Sequence, residues 1–315
     1  MPEHTTGPPR LEPLKTARAG VLDVAYYEAG PADGGAVLLL YGFPYDIYSY
    51  VQVIPLLADA GLRVIVPYLR GFGPTQFTDP DTPRSGQQAA LGADVIALMD
   101  ALGIDRAILA GYDWGGRGAC VAAALWPERC AGLVSVNEGG YLIEDIAAAA
   151  NPLRPALEAG LWFFFYFATE RGRRGLTANR RDMARLIWTQ LSPSWHFDDA
   201  TFDRTARAYD NDDFVEVVIH FFRYRIGQLP GYAPYEDFEK QLATQPPITV
   251  PAITLDGQAG GPNFPATDGT ASADHFTGPR THRQVPGAGH NLPQEAPQAF
   301  AEAVLDLTSL GRARR

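Results

Sequence analysis

The stretch Arg106-Ala-Ile-Leu-Ala-Gly111-Tyr-Asp113-Trp-Gly115-Gly116 decides how this chain is read. Ala107 to Ala110 is a short apolar run of the kind a buried parallel strand requires. Beyond it, Gly116 to Trp126 is rich in Ala and Val and closes at Pro127, as a packed helix would. Between the two, Gly-x-Asp-x-Gly has the glycine spacing of a sharp strand-to-helix turn. The first Gly permits the turn and the second lets the helix pack closely, which holds the middle side chain out at the top of the sheet. A carboxylate there, in place of the serine of acyl-transfer sites, can attack an sp3 carbon and leave an ester to be hydrolysed. Epoxides and carbon–halogen bonds fit that scheme. An isolated Gly-x-Asp-x-Gly is more often an Asx turn, but the flanking strand and helix favour a nucleophile.

Working outward, apolar runs at Val21–Tyr27, Ala36–Leu40, Val64–Pro67, Ala107–Ala110, Leu133–Val136, Ile253–Leu255 and Thr281–Val285 alternate with helical patterns. Such alternation predicts a mostly parallel sheet flanked by helices, an α/β architecture. From about Gly139 to Ile248 strand signals give way to helical stretches, aromatic residues and paired arginines, and Pro246-Pro247 marks the exit. The expected organisation is an α/β core over 1–138, an inserted helical lid over 139–248, and the rest of the core over 249–315.

Near the C-terminus, Val285-Pro-Gly-Ala-Gly-His290-Asn-Leu-Pro places a histidine on a glycine-rich loop after the last strand. A lone loop histidine is usually only solvated. Here the chain order, nucleophile first and His last, suits a base that activates water against an ester on Asp113. Leu38-Leu-Leu-Tyr41-Gly-Phe43-Pro44 ends the second inner strand, and the backbone N–H groups of Phe43 and Trp114 are the expected oxyanion hole. A simple β-turn at Gly42-Phe-Pro is the alternative.

Tyr41-Gly-Phe-Pro44, Arg70-Gly-Phe-Gly-Pro74, Gly111-Tyr-Asp-Trp-Gly115 and Gly289-His290, taken in order, resemble the epoxide hydrolase and haloalkane dehalogenase branch of the α/β-hydrolase superfamily. The resemblance covers nearly the whole chain. It implies the α/β-hydrolase fold and a cofactor-independent reaction in two steps through an alkyl-enzyme ester, with lid side chains polarising the epoxide oxygen or holding a departing halide. Two departures stand out. The family usually has His where this chain has Tyr41, and the family's acid position, three residues beyond Gly257, holds Gly260. Some members place the acid after the preceding strand, where this chain reads Asn137-Glu138. The resemblance with a one-residue offset makes Glu138 the group that orients His290, with Asp256, Asp268 and a simple strand-cap role for Glu138 as alternatives.

The same resemblance predicts lid donors facing Asp113. Trp162 stands at about the family distance from the nucleophile, with Tyr166 one helical turn on. A later Tyr-Arg pair is matched by Phe222 before Arg223 or by Tyr224 before Arg225. Trp188 adds to an aromatic density that suits a fairly large apolar or aromatic substrate, although lid packing is the competing account of every one of these rings.

Composition narrows the partners. The 315 residues carry a net charge of −10 and are 46% hydrophobic, ample for a core and unfavourable to nucleic acid, since only short arginine clusters oppose the acid. Residues 1–13 show no signal-peptide pattern, and the longest strongly apolar run, Leu161–Ala168, is far below the roughly 20 residues needed to span a bilayer. The expectations are a cytoplasmic enzyme with no membrane, no metal and no cofactor, a homodimer left open, and a frayed tail at Gly311–Arg315. Cys120 and Cys130 read as core residues. The leading expectation is an epoxide hydrolase acting on a small-molecule epoxide. An organohalide dehalogenase is the second, and a binding or cyclisation protein on the same scaffold the third.

Overall fold

All seven apolar runs form strands, and two further strands join them. The computed structural model describes residues 10–148, 151–261 and 265–312; the readings of segments 1–9 and 313–315 lie outside these. The strands are β1 (Lys15–Ala19), β2 (Leu22–Ala29), β3 (Gly35–Leu40), β4 (Leu62–Pro67), β5 (Gln76–Phe77), β6 (Ala107–Tyr112), β7 (Cys130–Val136), β8 (Ala252–Gly257) and β9 (Arg280–Val285). They build one sheet in the order β1-β2-β4-β3-β6-β7-β8-β9, with β5 on β2. The β2 pairings are antiparallel and every pairing from β4 to β9 is parallel.

Register sets up the site. Leu40 pairs with Gly111, and Gly111 with Ser135, so β3, β6 and β7 end side by side. The segments Tyr41–Phe43, Asp113–Trp114 and Asn137–Glu138 therefore leave the carboxyl edge of the sheet as neighbours, the edge where open parallel sheets form their crevice. All six residues of β6 are buried, which explains its unbroken apolar sequence. Cys120 and Cys130 are buried free thiols. The final helix, Pro297–Arg312, runs through Gly311 where the sequence predicted fraying.

Between β7 and β8 the described residues contain helices and no strand, from Pro155–Gly160 to Glu236–Leu242. This insertion is bolted to the loop after β3. Trp188 Nε1 donates to the carbonyl of Pro44 at 2.7 Å, and the Tyr209 hydroxyl donates to the same oxygen at 2.5 Å. Thr205 Oγ1 donates to Asp46 Oδ1 at 2.7 Å, and the Tyr48 N–H caps the same atom at 3.0 Å.

Asp46 is a buried carboxyl at the seam between core and insertion, and its Oδ2 has no hydrogen-bond partner among the described residues. Burial raises its pKa to about 7, against the opposing effect of the Thr205 and Tyr48 bonds and the Arg204 charge. The native chain keeps this proton to about pH 7, whereas an unfolded chain releases it near 3.8. Between those limits the native state binds more protons, so this group's contribution to stability falls as pH rises. Asp46→Asn keeps the acceptor and removes the titration. Its urea-unfolding free energy relative to the parent is expected to improve by roughly 1–4 kcal/mol between pH 5 and pH 8. A difference that stays constant with pH would show that Asp46 does not titrate in this window.

Candidate active site

The elbow exists because its glycines have no room for a side chain. A Cβ on Gly115 would lie 2.2 Å from the backbone of Leu40, and one on Gly42 would lie 2.5 Å from Cβ of Asp113. The helix Asp113–Leu125 thus starts directly against β3, and Gly115 N–H donates to the Tyr41 carbonyl at 2.9 Å. Asp113 sits in the left-handed region at φ 49°. For a non-glycine residue that conformation costs on the order of 1–3 kcal/mol and persists only where the surroundings over-determine it.

The two carboxylate oxygens of Asp113 face different partners. Oδ1 accepts the Trp114 N–H at 2.5 Å and the Phe43 N–H at 3.3 Å, while Oδ2 lies 3.2 Å from His290 Nε2. Burial works to raise this carboxyl, but the His290 contact, the Arg117 charge and the Phe43 N–H outweigh it and hold the group below its ordinary value. Asp113, His290 and the backbone N–H groups of Phe43 and Trp114 thus lie together.

His290 is held from behind by residues that sequence reasoning missed. Its N–H donates to Ser192 Oγ at 3.0 Å, and Ser192 donates to Glu295 Oε1 at 2.6 Å. Glu295 also accepts the N–H groups of Gly289, at 2.7 Å, and Asn291, at 3.1 Å. Glu295 stands five residues beyond His290 and was readable as a loop partner; nothing in the sequence pointed to Ser192, which caps a helix of the insertion. Tyr45, also missed, stacks on Trp188 at 4.7 Å and lies 6.2 Å from the imidazole, ring centre to ring centre.

The expectation that Glu138 orients His290 is not met. Residues Asn137 to Gly140 all have positive φ, from 53° to 86°. This turn swings the Glu138 side chain outward, where it is 62% exposed and 3.9 Å from Arg117. His290 Nδ1 instead faces Asn137 Nδ2 at 3.2 Å. The two alternatives are occupied elsewhere. Asp256 accepts the N–H of Gly139 and both the N–H and hydroxyl of Thr267, and Asp268 accepts those of Thr270. Among the described residues no carboxylate contacts Nδ1.

The predicted lid donors also point elsewhere. Trp162 Nε1 donates to Gln190 at 2.7 Å, the Tyr166 hydroxyl lies against Gly175, and Tyr224 stacks near His220 beside Gln87. Trp188 uses its indole N–H on Pro44. Phe222 does reach the site as a wall, its ring 5.3 Å from Phe43 and 6.2 Å from Trp114. Phe221 packs on Trp114 at 4.1 Å, so aromatic carbon covers the side of the elbow facing the insertion. Arg117 is buried and ion-paired with Glu144, which also binds Arg225.

Comparison with known proteins gives this geometry a family. Residues 35–194 match the family described as alpha/beta hydrolase fold. The chain is 28% identical to Epoxide hydrolase A of Mycobacterium tuberculosis over 312 residues, covering 90% of this chain and 93% of that protein. It is 50% identical to a Klebsiella pneumoniae protein classed, by inference, as an epoxide hydrolase, whose crystal structure superposes with a TM-score of 0.91 over 94% of this chain and 97% of the other. Epoxide Hydrolase A of Mycobacterium thermoresistibile, 22% identical, shares the fold with a TM-score of 0.72 over 94% of this chain and 98% of its own. A carboxylate elbow, a histidine at the far end of the chain and these relatives together show that the chain is a hydrolase belonging to the epoxide hydrolase branch of the α/β-hydrolase family.

Proposed function

We propose that this hydrolase opens an apolar or aromatic epoxide to a diol through an ester on Asp113, beneath a lid formed by residues 139–248. The observation that carries the reading is the division of labour at Asp113: one oxygen already lies between two N–H donors while the other faces His290. Oδ2 attacks a ring carbon, the ring C–O bond breaks, and the freed oxygen takes a proton. Oδ1 becomes the carbonyl oxygen of the ester without leaving the Phe43 and Trp114 N–H groups. Water then gives a proton to His290 Nε2 and attacks the ester carbon. The charge that develops on Oδ1 falls on the two backbone donors. Collapse releases the diol oxygen, which takes the proton from His290; the water's second proton, left on Asp113, returns to the group that protonated the ring oxygen, and the carboxylate is restored with one oxygen from water.

Tyr45 is the proton donor to the ring oxygen in this reading. Its hydroxyl is buried near Ser192, Glu295 and Asp113, and makes no hydrogen bond of full geometry among the described residues. Burial, with the charges of Glu295 and Asp113, pushes its pKa well up, so it stays a donor throughout the working range. The aromatic wall of Phe43, Trp114, Phe221 and Phe222 supports an apolar substrate. A dehalogenase using Trp114 and Trp162 as halide ligands is less well supported, because the Trp162 indole is bonded to Gln190.

His290→Gln is expected to stop after the first step. Incubated with styrene oxide and read by intact mass and peptide mapping, it gains the mass of the whole epoxide on Asp113. Haloalkanes serve as the control, and an adduct lacking halogen formed with them alone would replace this reading with the dehalogenase; no adduct with any compound would favour a binding protein. In the Tyr45→Phe variant the rate of adduct formation is expected to fall roughly 10²- to 10⁴-fold, the usual worth of a general acid. Unchanged alkylation would remove Tyr45 from the mechanism.

A further inference from the structure

His290 has a neutral amide where a triad ordinarily has a carboxylate, and that amide is oriented. Asn137 Nδ2 lies 3.2 Å from His290 Nδ1 and donates to the His290 carbonyl at 3.4 Å. With the NH2 group directed at both atoms, Nδ1 accepts a hydrogen bond and the ring proton belongs on Nε2, facing Asp113 Oδ2. Asn137 is itself held in place. Its φ is 76°, its N–H donates to the Leu255 carbonyl at 2.8 Å, and its carbonyl accepts the Gly140 N–H at 2.8 Å.

From this we infer that Asn137 is a positioning residue which fixes the resting tautomer of His290 and thereby slows hydrolysis of the Asp113 ester. The inference rests on the two-step reading given above. Alkylation needs only the Asp113 carboxylate, its two N–H donors and a proton for the ring oxygen, and an Nε2–H directed at Oδ2 helps to orient that carboxylate. Hydrolysis needs the opposite: a free lone pair on Nε2 to take the water proton, and therefore a proton on Nδ1. An amide presenting its NH2 group opposes that tautomer, and a neutral amide adds no charge to balance the imidazolium formed when water attacks. The neighbouring carboxylates do not substitute. Glu138 is turned out to Arg117, and both oxygens of Glu295 are occupied by backbone N–H groups and Ser192.

The test is rapid-quench mass spectrometry with styrene oxide on the parent, Asn137→Asp and His290→Gln. In each protein the rates of ester formation and of ester decay are read separately. Asn137→Asp puts a carboxylate on Nδ1–H, and ester decay should accelerate by roughly 10- to 1,000-fold with alkylation little changed, the direction opposite to the loss seen when a triad aspartate becomes asparagine. Ester that forms and persists in His290→Gln, with an Asn137→Asp variant no faster in decay than the parent, overturns the inference and leaves the two-step reading standing. Absence of ester in all three proteins overturns the reading itself. A readout that needs no variant is long-range 1H–15N NMR of the imidazole in the resting enzyme: a proton on Nε2 supports the inference and a proton on Nδ1 overturns it.

Discussion

The approach of Gly115 to the backbone of Leu40 is the contact on which the site depends. It lets the helix after β6 begin against β3, leaving no space there for even one methyl group. Because the helix begins so close, Asp113 must turn through a positive φ, and the Trp114 N–H, one of the unsatisfied donors at a helix start, is aimed at its carboxylate. The Phe43 N–H arrives from the other side because β3 and β6 end in register. One backbone packing constraint thus sets the Asp113 carboxylate, the Phe43 and Trp114 N–H groups and their mutual distance.

The insertion closes the same arrangement from above. Two of its side chains, Trp188 and Tyr209, donate to the Pro44 carbonyl, and a third, Ser192, accepts from the His290 backbone. The loop that carries the Phe43 N–H and the backbone of His290 are therefore referenced to one set of helices. A displacement of those helices would move both, and misplacement of about 1 Å at a reacting centre is enough to cost around 10²-fold in rate. The aromatic wall, built by Phe221 and Phe222 on the core rings Phe43 and Trp114, belongs to the same contact, so pocket shape and catalytic geometry change together.

Much of this was legible in the chain because it is written in backbone-determining residues. Glycine spacing gave the elbow, apolar runs gave seven strands, and chain order placed His290 beside Asp113. β1 and β5 escaped because Lys15–Ala19 and Gln76–Phe77 are short, mostly exposed at the edge of the sheet, and defined by pairing with β2 instead of by burial. The orienting group of His290 and the lid donors escaped for a different reason: each turns on where a side chain points. Glu138 was read as the acid from its place in the chain, yet consecutive positive φ values from Asn137 to Gly140 turn it away by one residue's rotation. Trp162 stands at the expected distance along the chain and still bonds Gln190, because helix phase in the insertion is set by packing among its own aromatic rings.

The missing carboxylate at His290 follows from what the acids of this chain already hold. Asp256, at the carboxyl end of β8, secures the Asn137–Gly140 turn through Gly139 and ties the loop carrying Thr267 to the sheet. Rotating it toward His290 would leave buried N–H donors unsatisfied, a cost on the order of 1–3 kcal/mol each. Glu295 is committed in the same way to the backbone on either side of His290. A mobile acid is thus unavailable from β8 or from the histidine loop, and Gly260 supplies none. What remains beside Nδ1 is the side chain at the end of β7, the Asn137 amide, and in the proposed two-step reaction its identity sets how readily the histidine can pass from steadying the carboxylate to taking a proton from water.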